Sequence, residues 1–315
     1  MRIAVTGGAG FIGSHVVEQI VARGHEALVI DDFSSGSPDN LASVRGAIEI
    51  EQQDVCNGAA CARLLSAWRP DAVLHLAAIA SVVRSIEEPR LTHEVNLNGA
   101  FNLLEAARDA GVRRFVFASS AAVYGLLPAL PSAETDPLAP VSPYAAQKAA
   151  GEALCRAYRS AWGLETAALR FFNVFGERQR ADSPYSGVIS LFLEALSTHG
   201  QATISGDGEQ SRDFIYVGDV ARAVVAALTR SDPGFGPFNI ARGEQTSIRA
   251  LYTLVANATG SADAPLFAPA RPGDVRHSRA QIAGMRGVLG VEPAVAVVDG
   301  IARLAAWRTA AQRGR

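Results

Sequence analysis

The stretch Thr6-Gly7-Gly8-Ala9-Gly10-Phe11-Ile12-Gly13 follows the apolar run that begins at Ile3 and opens an amphipathic pattern reaching Arg23. A glycine-rich turn between a strand and a helix is built to receive a pyrophosphate. The glycines allow the tight turn, let backbone amides come close to the phosphates and let the helix pack on the strand, while the helix amino terminus carries partial positive charge. The spacing reads as GxGxxG from Gly8 or as GxxGxxG from Gly7. Asp31 stands 18 residues beyond Gly13, at the end of the next apolar run, Ala27 to Ile30. A carboxylate there accepts hydrogen bonds from the adenosine ribose and repels a 2′-phosphate, so the expected cofactor is NAD rather than NADP.

Outward from this turn, short apolar runs alternate with longer helical patterns. Ala72 to His75 and Phe115 to Ala118 read as strands; Leu91 to Ala110 and the stretch opened by Ser142-Pro143 read as helices. Gly24, Gly111 and Gly163 sit where left-handed helix ends are wanted. The expected fold is α/β: a Rossmann-like, doubly wound parallel sheet with a smaller carboxyl-terminal α/β substrate-binding lobe. The dinucleotide domain is expected over 1–172, with the chain returning to it at 213–242; 173–212 and 243–315 are assigned to the second lobe.

The 315 residues are 49% hydrophobic and 19% charged, a globular composition that excludes bulk disorder. The 29 basic and 31 acidic residues leave a net charge of −2 without long runs of one sign, which speaks against a nucleic-acid partner. Cys56, Cys61 and Cys155 show neither CxxC spacing nor a neighbouring His, so no metal is expected and a reduced, cytoplasmic setting is the simplest reading. No signal peptide opens the chain and no apolar run reaches a membrane-spanning length, so no membrane partner is expected.

Tyr144 and Lys148 are spaced i, i+4 and share one helix face. A free tyrosine, with a pKa near ~10, is a poor base at neutral pH. Lowering that value by roughly 3 units takes about 4 kcal/mol, which a cation at ~4 Å, the oxidised nicotinamide ring and the helix amino terminus together supply. Of the 29 basic residues, 28 are Arg and only Lys148 is Lys. A compact ammonium approaches a phenolate and a ribose in ways a planar guanidinium does not. Ser120, in Ser119-Ser120-Ala121-Ala122-Val123-Tyr124-Gly125, follows the apolar run Phe115 to Ala118 and so falls at the ligand crevice of a parallel sheet.

TGGAGFIG, SSAAVYG, YxxxK and Arg170-Phe171-Phe172-Asn173-Val174-Phe175-Gly176 occur in that order and resemble the extended short-chain dehydrogenase/reductase family, specifically its nucleotide-sugar 4-epimerases. The resemblance implies a catalytic triad of Ser120, Tyr144 and Lys148. It implies NAD contacts at Gly7, Gly10, Phe11, Ile12 and Gly13, at Asp31, Asp32, Asp54 and Val55, and at Leu76, Ala77, Ala78, Asn96 and Phe171, with Tyr144 and Lys148 shared between cofactor and chemistry. The related 4,6-dehydratases carry an Asp-Glu pair where this chain has Ala121-Ala122, so no acid is at hand to protonate a departing 6-hydroxyl.

The same resemblance implies a UDP-sugar partner. Arg212 and Arg271 match diphosphate-holding positions, Asn173, Gly187 and Val188 further diphosphate contacts, Asp274 the uridine ribose contact, and Thr203 to Ser205 the strand beside the uracil. Ser81, Arg84 and Ser120 fall on the sugar side, and Ser278 stands where glucose/galactose-restricted relatives carry Tyr. A small residue there enlarges the pocket, so the 2-acetamido sugars, UDP-N-acetylglucosamine and UDP-N-acetylgalactosamine, are expected alongside the glucose and galactose forms. Alternatives are a UDP-glucuronate 4-epimerase or decarboxylase, in which Arg84 or Arg178 meets the 6-carboxylate, and a non-catalytic NAD or nucleotide-sugar sensor. The resemblance also implies a homodimer paired through the Leu91–Ala110 and Tyr144–Trp162 helices.

Overall fold

The computed structural model describes residues 1–125, 130–179, 187–198, 200–270 and 275–313. Strands β1 (Arg2–Thr6), β2 (Glu26–Asp31), β3 (Ile48–Gln52), β4 (Ala72–His75), β5 (Arg114–Ser120) and β6 (Glu165–Phe171) join Phe238–Ile240 in one sheet. The order is Phe238–Ile240, β6, β5, β4, β1, β2, β3, and every pairing is parallel. Strand order reverses between β1 and β4, so the crevice lies outside their carboxyl ends, where Thr6 pairs with His75 on one side and Ile30 on the other.

Alternate residues of each strand feed opposite layers. Ile3, Val5, Val29, Leu74, Val116 and Leu169 pack with Val16, Val17 and Ile20 of the Phe11–Ala22 helix and with the Val217–Thr229 helix. Ala4, Leu28, Ile30, Val73, Phe115 and Phe117 pack on the other face with the Gly58–Trp68, Gly99–Asp109 and Pro143–Trp162 helices. Burial on both faces explains why these strands read as continuous apolar runs. Gly24, Gly111 and Gly163 follow their helices with positive φ, as expected. The expected Leu91–Ala110 helix is instead three pieces, Pro89–His93, a π-helical turn Glu94–Asn98, and Gly99–Asp109. Edge strand β3 was not read from the sequence, because Ile-Glu-Ile-Glu-Gln is short, mostly exposed and charged on one side.

A third apolar cluster gathers Phe175, Ile189, Phe192, Leu193, Ile204, Phe214, Leu251, Val255, Ile301 and Leu304. Around it are small sheets: Asn173–Phe175 with Phe214–Tyr216, Thr203–Ser205 with Leu266–Ala268, and Ser211–Arg212 with Thr246–Ser247. Ala280, Ile282, Met285, Leu289 and Val291 pack on the main sheet rather than in this cluster. Among the described residues, no helix is long and apolar enough to cross a membrane.

Candidate active site

The turn after β1 is set by backbone contact. Gly7 has φ +68°, and a Cβ on it would lie 2.8 Å from the Ala77 amide nitrogen; a Cβ on Gly13 would lie 2.1 Å from the Gly7 carbonyl oxygen. The Gly7 amide donates to Ile30 O at 2.9 Å and the Gly10 amide to Gly7 O at 3.1 Å. Phe11, Ile12 and Gly13 then begin a helix, so their amides have no carbonyl one turn earlier to meet. A Cβ on Gly10 would meet only Gly7 O, at 3.2 Å. The cradle is therefore bare backbone with unspent donors, which fits a pyrophosphate.

Asp31 is buried at the end of β2, where Oδ2 accepts from the Ala9 amide and Oδ1 from the Phe33 amide, each at 2.9 Å. Burial pushes its carboxyl up from the usual range while those two amides oppose the shift. Each oxygen keeps acceptor capacity for a ribose hydroxyl. Leu76 to Ala78 lie against Gly7, held by Leu76 N to Thr6 O at 3.2 Å and Ala77 N to Thr6 Oγ1 at 3.3 Å. His75 bonds the same Thr6 hydroxyl at 2.8 Å, and burial drives its imidazole down to about 3. It is a neutral strand-end residue, as its sequence position indicates.

Three of the expected cofactor contacts also bond within the protein. Asp32 accepts from the Ser34 amide and hydroxyl, and Asp54 from the Cys56 amide, so each caps its own loop. Asn96, on the π-helical turn, spends its amide inside the protein: Oδ1 accepts from Ile79 N at 2.7 Å, and Nδ2 donates to Ile79 O and Gln147 Oε1. Val55 is buried, while Phe171 is half-buried beside Ser120 in the β5–β6 register.

Ser120 closes β5, accepts from the Ala122 amide at 3.2 Å and favours ionisation of the nearby Tyr144 phenol. Tyr144 enters from the first turn of the Pro143–Trp162 helix, which Ser142 caps through Ala145 N and Pro143 opens. Lys148, one turn on and 4% exposed, donates to Ala118 O at 2.8 Å. Its Nζ is 5.9 Å from the Tyr144 ring centre. Burial pushes the Tyr144 phenol up, opposed only by Ser120, and pushes the Lys148 ammonium down to about 8. The chain's own groups place the phenol but leave it above its ordinary value, so the expected activation falls to the bound dinucleotide and substrate.

Sequence reasoning missed the next rung of the same helix face. Glu152, four residues beyond Lys148, accepts from Ser119 Oγ at 2.5 Å and pairs with both Arg170 Nε and Nη2, all of them buried. Arg170 continues to the Tyr124 hydroxyl at 2.9 Å, which donates to Asn239 Oδ1 at 2.6 Å. The i, i+4, i+8 ladder Tyr144-Lys148-Glu152 was visible in the sequence; its buried arginine partner was not.

On the sugar side, Ser81 caps the Val82–Glu87 helix through Arg84 N, and Arg84 faces Glu88 at 3.4 Å. Arg178 pairs with Glu18 at 2.5 Å. Both guanidiniums offered for a 6-carboxylate thus face a carboxylate of the chain, and Arg178 Nη1 is buried without a hydrogen-bond partner among the described residues. Asn173 donates through Nδ2 to Asp213 O at 3.1 Å, and Arg212 Nη1 donates to Ser211 O at 2.9 Å. Asp213 itself is fully buried and accepts the amides of Arg242, Gly243 and Ala280. Ser278 N donates to Ser211 O at 3.1 Å, which puts Ser278 beside the Arg212 strand. Gly187 and Val188 start the Val188–Ser197 helix, and Thr203 and Ser205 flank buried Ile204. Arg271 and Asp274 lie outside the described residues.

Comparison with known proteins gives concordant results. The family model described as NAD dependent epimerase/dehydratase matches residues 3–241. The UDP-glucose 4-epimerase of Mycolicibacterium smegmatis is 42% identical over 306 residues, covering 96% of this chain and 97% of that protein. The solved UDP-glucose 4-epimerase of Thermotoga maritima with UDP-glucose is similar at TM-score 0.94 and 35% identity, over 99% of this chain and 100% of that one. A UDP-N-acetylglucosamine 4-epimerase of Methanobrevibacter ruminantium, in complex with UDP-N-acetylmuramic acid, also gives TM-score 0.94 and 35% identity, over 98% of both chains. Since the family match runs from the first strand of the sheet to its last, the chain belongs to the NAD-dependent epimerase/dehydratase family.

Proposed function

We propose that the chain interconverts the C4 epimers of a UDP-sugar, with the 2-acetamido forms UDP-N-acetylglucosamine and UDP-N-acetylgalactosamine preferred and the glucose and galactose forms also turned over. The observation that carries the reaction class is the buried Tyr144 phenol near Ser120 at the end of β5, with Lys148 one turn behind it and tied to Ala118 O of the same strand. Ser120 holds the sugar 4-hydroxyl, and Tyr144, once ionised, takes its proton, leaving a 4-keto sugar; the same phenol returns the proton after the sugar presents its other face. NAD, when bound, supplies the reversible hydride acceptor for C4. Proton and hydride leave and return in each cycle, so the product is an isomer and no net oxidation occurs. Ala121 and Ala122 follow Ser120 in a short 3-10 turn and offer no acid for loss of water.

The choice of sugar rests on Ser278, whose small side chain stands beside the Arg212 strand. The names of the relatives include both sugars, and the 42% identity to a UDP-glucose 4-epimerase favours glucose as the second reading. Incubating the protein separately with UDP-N-acetylglucosamine, UDP-glucose and UDP-glucuronate and resolving anomeric signals by proton NMR tests both levels. Conversion of the acetylated sugar is expected, and Ser278→Tyr should remove it while sparing UDP-glucose. Unchanged turnover of the acetylated sugar by a folded Ser278→Tyr protein overturns the pocket argument, and conversion of UDP-glucose alone by the wild type overturns the substrate preference.

A further inference from the structure

The segment after β4 lies against the start of the Pro143–Trp162 helix, and the seam between them is polar and buried. Gln147 Nε2 donates to Thr92 Oγ1 at 3.1 Å, and Gln147 Oε1 accepts from Asn96 at 2.8 Å. The contact nearest the chemistry is made by Ser85, which is 0% exposed. Its hydroxyl donates to Val82 O at 2.6 Å and accepts from the Tyr144 amide at 3.1 Å. The opening amides of a helix must find acceptors outside the regular ladder. Here Pro143 has no N–H, Ala145 is served by Ser142 Oγ at 3.2 Å, and Ala146 by Ser142 O at 2.9 Å. Of these amides, that of Tyr144 takes its partner from another element.

We propose that Ser85 is a positioning residue for Tyr144: its hydroxyl ties the helix bearing Arg84, and capped by Ser81, to the residue bearing the reactive phenol, so that sugar-side loop and base are placed as one unit. The inference rests on the 4-epimerase reading and adds to it a route by which the seating of the sugar-side loop sets the phenol against Ser120. Because the bond is to the Tyr144 backbone, its loss shifts the phenol without removing any group that touches the substrate. Small displacements of a reacting group are costly even when binding is intact.

Ser85→Ala is expected to lower kcat about 10-fold, the equivalent of roughly one buried hydrogen bond, with little change in the KM for the UDP-sugar. The acid limb of the kcat–pH profile should move to higher pH, because the phenol leaves the position in which Ser120 assists its ionisation. Hydrogen exchange of the Tyr144 amide should accelerate, a readout that does not depend on turnover. Ser85→Cys, which keeps a polar atom at the site, should recover part of kcat, and it carries the test if the alanine variant does not fold. An unshifted pH limb with wild-type kcat per folded molecule, or a Tyr144 amide as protected as in the wild type, overturns the proposal. A wild-type protein inert towards every UDP-sugar would instead overturn the epimerase reading, and the amide-exchange comparison would still decide the role of Ser85.

Discussion

At the carboxyl end of β5, Ala118 O, Ser119 Oγ and Ser120 Oγ are each met by one of Lys148, Glu152 and Tyr144, three successive rungs of one helix face. Across the cleft, the Ser211–Arg212 strand is two residues long, and its neighbours Arg242, Gly243 and Ala280 converge on the single carboxylate of Asp213. Farther out, that side is joined by exposed pairs such as Arg276 with Asp207 at 2.8 Å. Among the described residues, the chemical half is locked by repeated buried contacts between a sheet and a long helix, while the other half converges on one buried carboxylate. A scaffold of this kind keeps its reaction while its sugar pocket varies, which is consistent with near-identical folds among relatives named for different sugars.

The contrast predicts effects of unequal size. Tyr144→Phe should lower turnover by at least about 10³-fold while leaving the sheet, dinucleotide binding and UDP-sugar binding in place, because it deletes the group that exchanges the proton and nothing that holds the fold. Retained epimerisation in the NMR assay would break the comparison at its stronger end.

Asp213→Asn should act on the other half. It sets an amide N–H against at least one of the three backbone amides that the carboxylate now accepts, at a cost of about 2–4 kcal/mol. Burial pushes the Asp213 carboxyl up to about 6 from an ordinary value of 3.8. The folded protein therefore holds this proton more tightly than the unfolded chain, so the contribution of Asp213 to stability is greatest below about pH 4 and declines as pH rises through about 6. The decline amounts to about 3 kcal/mol. Denaturant unfolding from pH 4 to pH 7 should show the wild-type advantage over Asp213→Asn shrinking across that window, and an advantage constant with pH would contradict the burial argument.

The smallest effect is expected at the rim. The Arg276 guanidinium holds the Asp207 carboxyl down to about 2, yet both side chains are exposed. Arg276→Ala should leave the unfolding midpoint within about 2 °C of the wild type, as exposed pairs rarely contribute more. A larger fall in a thermal scan would mean that the second half is held more tightly than its contacts imply.

The sheet, the phosphate turn and the catalytic spacing were legible because each is a local signal: an apolar run, a glycine series, an i, i+4 pair. Edge strand β3 was not, since a short strand with Glu49 and Glu51 on its open side carries neither a buried run nor an apolar alternation strong enough to read. Glu152 with Arg170, Ser85 with Tyr144, and Asp213 with its three amides were illegible for another reason. Their partners lie 18, 59 and 29 to 67 residues away, and only the folded chain brings them together. Asn96, assigned to the cofactor by resemblance, also bonds Ile79 and Gln147, partners that the sequence does not show.

The solitary lysine has a practical consequence. With Lys148 buried at the active site and every other Lys or Arg position an arginine, the chain offers amine-directed reagents a single lysine side chain. A lysine-directed label should therefore mark one position only, and its slow reaction with the folded protein should quicken when the Pro143–Trp162 helix opens.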